Sequence, residues 1–513
     1  MSAPGTAQRL LSSSTFTVLA LLVNISASLI LVPFLIDRLG DGWYGTWILI
    51  GTMLGYFVVL DFGLFSAAER YIAVHFARRE WDEVNIILST CMVLFCGAGL
   101  VALALGLAAA AAVPWVAGDP ESARIIRAAL VIAAVDVALL FPGGLVNGIL
   151  VAQVRFDLAA LMGIVKVAVR TVLILVVIDA GHSIVALAAI TLATNTAERL
   201  AKAYAAWRLY PHLRLSRRLI RTDRIGAYAR FGVYSFIAEV SEKVRFSVDV
   251  VVVGLILGAA LVTVYNIATR LVSYYMQLIV SGVGFMLPVF AALAGRGDEA
   301  GLRRDFLFVS KLAVLASVLF GGGLIFVARP FVELWIGPDY GAAFVPLAII
   351  TAAVMLELAQ MPSGHLLMAL NRHGFLARLG CGEALANLLL SLALAGPLGL
   401  AGVALGTAIP LVVARVGLLP VHVCRQIGLA PMHYAREIGG LGLAAVLVQA
   451  PLWLVRPALL EMPLAAAAAV TALAYAMLAA GLVRFGLGRG DRERLRGHLL
   501  AWLHVTRRED ARR

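Results

Sequence analysis

The chain has 513 residues, of which 62% are hydrophobic and 14% charged, with a mean hydropathy of +0.94; soluble domains carry about 25% charged residues. Water is not its main solvent, and apolar runs of 18 or more residues recur along the whole sequence, which excludes a soluble fold with one hairpin or tail anchor. The net charge of +12 does not point to nucleic acid, because the basic residues flank apolar runs and form no face with interleaved aromatics.

The first apolar run, Ser14 to Ile36, is far longer than the apolar core of a cleavable signal and reads as a first membrane span. Charged and Gly/Pro-marked turns then cut five more spans near residues 42–64, 86–112, 125–152, 158–178 and 183–207. A basic stretch from Leu209 to Arg230 follows. Eight further spans fall near 231–257, 260–292, 306–328, 342–369, 376–395, 399–423, 438–455 and 462–483, which makes about fourteen. With the N-terminus inside, thirty of the 42 Lys and Arg residues fall in cytoplasmic tails and loops, including the nine from Arg199 to Arg230. Five fall outside: Arg38, Arg124, Arg127, Arg329 and Arg456. That bias places both termini in the cytoplasm.

The expected architecture is all-α and polytopic. It comprises a cytoplasmic tail (1–13), an N-terminal six-helix lobe (14–208), a basic cytoplasmic linker (209–230), a C-terminal six-helix lobe (231–424), two additional helices (438–483) and a basic cytoplasmic tail (484–513). The turn Leu39-Gly40 before Tyr44-Gly45-Thr46 is echoed by Leu257-Gly258 before Tyr265-Asn266. Six spans in each lobe make such repeats parallel, although chance similarity of two turns competes with that reading. In the tail, Leu495, Leu499, Leu500 and Leu503 stand among arginines, as in a basic helix on the inner leaflet or a solvated tail.

Ionisable groups within spans cost about 2.5–3.5 kcal/mol each at mid-depth and are candidate functional residues. The seventh span holds Glu239, Glu242, Lys243, Arg245 and Asp249. Glu239 with Lys243, Arg245 with Asp249 and Glu242 with Arg245 stand at helical pairing distances, so a self-neutralised wall and a ligand site weigh equally. The fifth span differs, since Lys166 and Arg170 lie one turn apart with no acid anywhere in Leu158 to Ile178, and Arg270 of the eighth span also has none on its own span. A diphosphate in a low-dielectric cavity needs cationic donors. Lys166, Arg170 and Arg270 are therefore the expected head-group site, with Lys243 and Arg245 as further substrate-binding candidates. Asp136 of the fourth span and Glu357 of the tenth are the rival pairing partners. Asp136 and Asp249 are candidates for ion coupling. Arg415 and Glu383 sit near the inner side, where snorkelling suffices.

No Gly-Lys pair, HExxH, DxD or GxSxG occurs, so no ATP-driven module and no catalytic residue is expected. Cys91, Cys96, Cys381 and Cys424 lie in apolar segments without ligand spacing and read as core thiols. No metal or cofactor is expected.

Three stretches carry a family resemblance. From residue 31 the chain reads LVPFLIDRLGDGWYGTWILI, followed by LDFGLFSAAERYIA; SVDVVVVGLILGAALVTVYNIATRL occupies 247–271; and FVELWIGPDYGAAFVPLAIITAA leads through NRHG to GLAGVALGTAIP at 331–410. In this order they resemble the polysaccharide-transporter branch of the multidrug/oligosaccharidyl-lipid/polysaccharide exporter superfamily. The resemblance implies a V-shaped pair of six-helix bundles around a central cavity. It also implies a cargo, an undecaprenyl-diphosphate-linked saccharide flipped across the bacterial cytoplasmic (inner) membrane, and polysaccharide-assembly proteins as partners. A drug/cation antiporter of the same superfamily, normally with twelve spans and an acidic cavity, is one alternative. A membrane enzyme of envelope polysaccharide synthesis is the other, opposed by the absent motifs and short outer loops.

Overall fold

The computed structural model describes residues 3–117, 119–152, 156–179, 183–226, 236, 248–283, 286–372, 374–462 and 464–496. Among them there is no β-strand, and eleven helices are long and apolar enough to cross a membrane. The protein is an all-α, multi-pass membrane protein. Ten of the eleven match one expected span each; the other, Gly374–Gln426, runs through both the eleventh and twelfth. Its helix bends at Gly399, whose φ of 57° and ψ of −137° suit a residue without a Cβ. The seventh expected span lies mostly outside the described residues, and the eighth forms the two helices Ala259–Val283 and Met286–Gly295.

The chain divides into two compact units, Met1–Asn266 and Ile267–Arg513. The division falls later than the basic linker at 209–230, so the first unit also takes in the helical run 248–256. Gly45 shows why. A Cβ on it would overlap the Ala259 carbonyl oxygen, so the second span and the start of Ala259–Val283 meet backbone to backbone.

The first unit contains α1 (Ala3–Leu39), α2 (Asp41–Gly55), α3 (Leu64–Ala77), α4 (Trp81–Val116), α5 (Pro120–Ala152), α6 (Phe156–Asp179), α7 (Ile184–Leu209) and α8 (248–256). One apolar core joins Ile72, Phe76, Ile87, Phe95, Phe141 and Ile149 from α3, α4 and α5. The LDFGL motif is a structural turn. Phe62 and Gly63 both take left-handed backbone (φ 49° and 72°), and the fully buried Asp61 carboxylate accepts the N–H groups of Gly63 (2.9 Å) and Phe65 (3.3 Å). It thereby satisfies donors at the start of α3 that no helical carbonyl can reach. The two echoed turns also share geometry: Gly40 and Gly258 both have positive φ, and Tyr44 and Tyr265 behind them are both buried.

The linker after α7 is strapped to α4 by polar side chains. Asn85 donates to the His212 carbonyl (3.0 Å) and accepts from Arg214 N–H (2.8 Å). Ser89 and Thr90 accept from the backbone of Ser216 and Arg221, and Arg224 pairs with Glu83 at 3.2 Å.

The second unit holds the rest of α9 (Ala259–Val283), then α10 (Met286–Gly295), α11 (Glu299–Trp335), α12 (Phe344–Ala359), α13 (Met361–Ala369), α14 (Gly374–Val412), α15 (Leu419–Gln426), α16 (Pro431–Tyr434), α17 (Gly440–Leu460) and α18 (Leu464–Gly481). A final helical run, 489–496, is docked on this unit and is not a free tail. Asp491 meets Lys311 at 3.1 Å, Arg494 meets Asp305 at 3.1 Å, and Leu495 packs against the core. Leu499, Leu500 and Leu503 lie outside the described residues. Of the four cysteines, Cys91 and Cys424 are buried, whereas Cys96 and Cys381 are exposed on the helix surface, so only two are core thiols.

Candidate functional site

Five charged side chains within the spans of the first unit meet between α5, α6 and α7. Lys166 Nζ of α6 lies 2.8 Å from Glu198 Oε2 of α7, and Lys202 Nζ, one turn along α7, lies 2.9 Å from Glu198 Oε1. Lys202 also donates to Asn147 Oδ1 of α5 at 3.1 Å. Beside this group, Arg199 donates to Asp136 Oδ1 (2.7 Å) and Asn195 to Asp136 Oδ2 (2.8 Å). The five charged side chains are 13–23% exposed, and three cations stand against two carboxylates. Among the described residues this group has one positive charge in excess, in a largely buried setting where electrostatic interactions are strong.

Local sequence explains how such bulky groups approach one another. The α5 segment Phe141-Pro142-Gly143-Gly144-Leu145-Val146-Asn147-Gly148 presents glycine where a methyl group would collide. A Cβ at Gly143 would meet the Arg199 side chain at 2.8 Å, one at Gly144 would overlap the Phe65 ring, and one at Gly148 would meet Glu69 Cγ at 3.2 Å. Small residues at membrane helix interfaces permit this closeness. Glu69 is half-buried, and no hydrogen bond or ion pair reaches its carboxylate among the described residues; burial pushes its pKa up from the ordinary glutamate value.

The expected site residues separate into three groups. Lys166 and Arg170 share α6 as anticipated, but Lys166 is paired with Glu198, not with Asp136 or Glu357. Arg170 and Arg270 are half-buried, and each interacts with a neighbouring group. Asp136 is held by Arg199 and Asn195. Asp249 is 4% exposed and accepts a hydrogen bond from the Tyr265 hydroxyl at 2.8 Å. Glu239, Glu242, Lys243 and Arg245 lie outside the described residues.

Sequence reasoning missed Glu198, Arg199 and Lys202. It counted Arg199 and Lys202 with the cytoplasmic basic stretch, whereas both lie inside α7 with their charges in the network. The signal was Glu198 four residues before Lys202, an ion-pair spacing within an apolar run. Arg415 and Glu383 of the second unit do not snorkel either. Arg415, in a π-helical stretch (Val413–Leu418), lies 3.2 Å from Glu383 and 3.5 Å from Glu357, and the Glu383 side chain is only 2% exposed. Among the described residues no His/Cys/Asp/Glu group could hold a metal.

A family model described as polysaccharide biosynthesis protein matches residues 61–344, more than half of the chain. The chain belongs to this family. This polysaccharide biosynthesis protein is 24% identical over 423 residues to "Uncharacterized membrane protein EpsK" of Bacillus subtilis, covering 79% of the chain and 81% of that relative. Its fold is similar to that of "Lipid II flippase MurJ" in an inward closed conformation (TM-score 0.69, 13% identity, 92% of this chain and 98% of that one). It is also similar to an inward-facing multidrug resistance MATE family transporter of the MOP superfamily (TM-score 0.66, 16% identity, 80% and 98%). The two solved structures share the fold of this chain at 13% and 16% identity.

Proposed function

We propose that the protein flips an undecaprenyl-diphosphate-linked saccharide from the inner to the outer leaflet of the bacterial cytoplasmic membrane for cell-surface polysaccharide synthesis. The observation that carries this reading is the cation-rich network of α5–α7. Lys166, Lys202 and Arg199 exceed their carboxylates by one charge, and Arg170 stands one turn from Lys166. A diphosphate entering this setting exchanges with Glu198 for the lysine donors, forming charge-assisted hydrogen bonds. Lys166, Arg170 and Arg270 remain the head-group residues of the proposal, joined by Lys202; Lys243 and Arg245 of the seventh span are further donors. The excess of cations suits an anionic head group and not an organic cation.

No bond in the substrate is made or broken, so the protein is a transporter and not an enzyme. Outward movement of a negative head group is favoured by an inside-negative potential, by about 2.3 kcal/mol per charge per 100 mV. A coupling ion would act at Asp136 or Asp249. Both termini are cytoplasmic in this scheme, which reporter fusions after Arg224 and at Arg513 check; a periplasmic signal at either breaks it. The protein works beside the polysaccharide-assembly proteins that make and consume the lipid-linked saccharide.

The test is reconstitution in liposomes loaded with fluorescent undecaprenyl-diphosphate-linked saccharide, with outer-leaflet exposure read by a glycosidase. Wild type should expose the saccharide. Lys166→Ala with Arg170→Ala should insert normally yet expose at least tenfold less. Equal rates for the variant and wild type remove these residues from the mechanism.

A further inference from the structure

The end of the first unit away from the arginine-rich loops carries a second polar site. Here the α1–α2 turn, the α4–α5 turn and the start of α7 close around a cleft of about 420 Å³, within the range of about 300–1,000 Å³ typical of small-molecule sites. Arg38, Trp43, Asp119, Glu121, Ser122 and Ser183 line it. None of them takes part in the α5–α7 network, and by the charge bias of the loops this end faces outside.

The chemistry of the lining is specific. Trp43 is half-buried, its indole partly embedded among the apolar side chains of α2, α4 and α5 while still bordering the cleft. A held indole offers a rigid apolar face at little entropic cost. Asp119 is fixed in place because its Oδ1 accepts the Ser122 N–H at 2.8 Å, and that bond holds the carboxyl below its ordinary range, so it is a carboxylate at neutral pH. Ser183 is fixed likewise, its Oγ accepting the Val185 N–H at 3.3 Å. The cleft thus sets carboxylate acceptors, a guanidinium donor and hydroxyls around one aromatic face. Arg38 at the rim opposes an organic cation, and Asp119 with Glu121 opposes an anion. A neutral, hydroxyl-rich ring satisfies every group: its C–H face lies on the indole and its hydroxyls bridge acceptors and donor.

We propose that this cleft is a saccharide-binding site that receives one or two neutral sugar residues of the cargo glycan at the outer surface. The proposal rests on the flippase reading for the glycan's arrival there, but the site binds sugar independently of the lipid diphosphate. Full-length protein in nanodiscs is titrated with lipid-free neutral oligosaccharides (maltotetraose, cellotetraose, chitotetraose and a panel of bacterial surface-polysaccharide repeat units), read by saturation-transfer NMR. At least one should bind wild type. Trp43→Ala should weaken it at least tenfold, with Trp43→Phe intermediate, and Asp119→Asn with Glu121→Gln should weaken it comparably without removing packing volume. Lys166→Ala with Arg170→Ala should bind like wild type while losing flipping, which separates a failure of the outer site from a failure of the transport scheme. No binding by wild type across the panel, binding indifferent to both the Trp43 and the carboxylate variants, or occupancy by tetraphenylphosphonium in place of sugars overturns the proposal.

Discussion

Replacing Glu198 with Gln removes the carboxylate that lies 2.8 Å from Lys166 and 2.9 Å from Lys202, leaving two ammonium groups facing a neutral amide. At such a distance and an effective dielectric of about 20, each attraction is roughly 6 kcal/mol before desolvation. Desolvation of the ions offsets much of that, and removing one member of a buried pair typically costs about 3–5 kcal/mol. Lys202 keeps Asn147, and both lysines are 16–23% exposed, so the loss should lie lower, at about 2–3 kcal/mol. Lys166→Met alone should cost less, because Glu198 keeps Lys202. The double variant should recover part of the loss, giving a coupling of about 1–3 kcal/mol in a double-mutant cycle. Equilibrium unfolding of purified protein in mixed detergent measures the cycle, and membrane abundance checks it in cells. A coupling below about 0.5 kcal/mol would refute the idea that this pair holds α6 to α7. It would leave Lys166 free for cargo without competition from Glu198.

Gly45→Ala should cost about 1–3 kcal/mol or more and lower abundance, because the added methyl meets backbone at Ala259. Gly254→Ala should be milder, since it meets only the Leu49 side chain, which can rotate; equal losses in a thermal-stability assay would contradict this. Asn85→Ala leaves the His212 carbonyl and Arg214 N–H without their partner and should cost about 1–3 kcal/mol, with protease cutting within 210–226 rising first. Burial raises the Glu69 carboxyl above its ordinary value of 4.5, so the native state binds the proton more tightly than the unfolded chain. Stability should therefore fall as pH rises from about the ordinary glutamate value through the raised native one. Glu69→Gln should abolish that fall and be at least as stable as wild type at neutral pH; an unchanged pH profile counts against the assignment.

The sequence by itself determined the solvent, the element type and the approximate span boundaries. Apolar runs of span length allow only helices in a bilayer, where every backbone N–H and C=O must pair within its own segment. It also singled out Lys166 and Arg170, because charge is rare in such runs. It could not say what faces them. Glu198 lies 32 residues beyond Lys166, and Arg199 reads as a loop arginine until α7 is seen to carry it beside Asp136. Arg415 looked free to snorkel until α12 and α14 brought Glu357 and Glu383 to it. Ion-pair partners across helices are fixed by rotation and approach of whole helices, through contacts such as Gly143 against Arg199. Linear spacing carries no trace of these contacts beyond one helical turn. The outer cleft is the extreme case. Its residues come from three turns separated by more than 50 residues each, and only the closing of the bundle ends makes them one site.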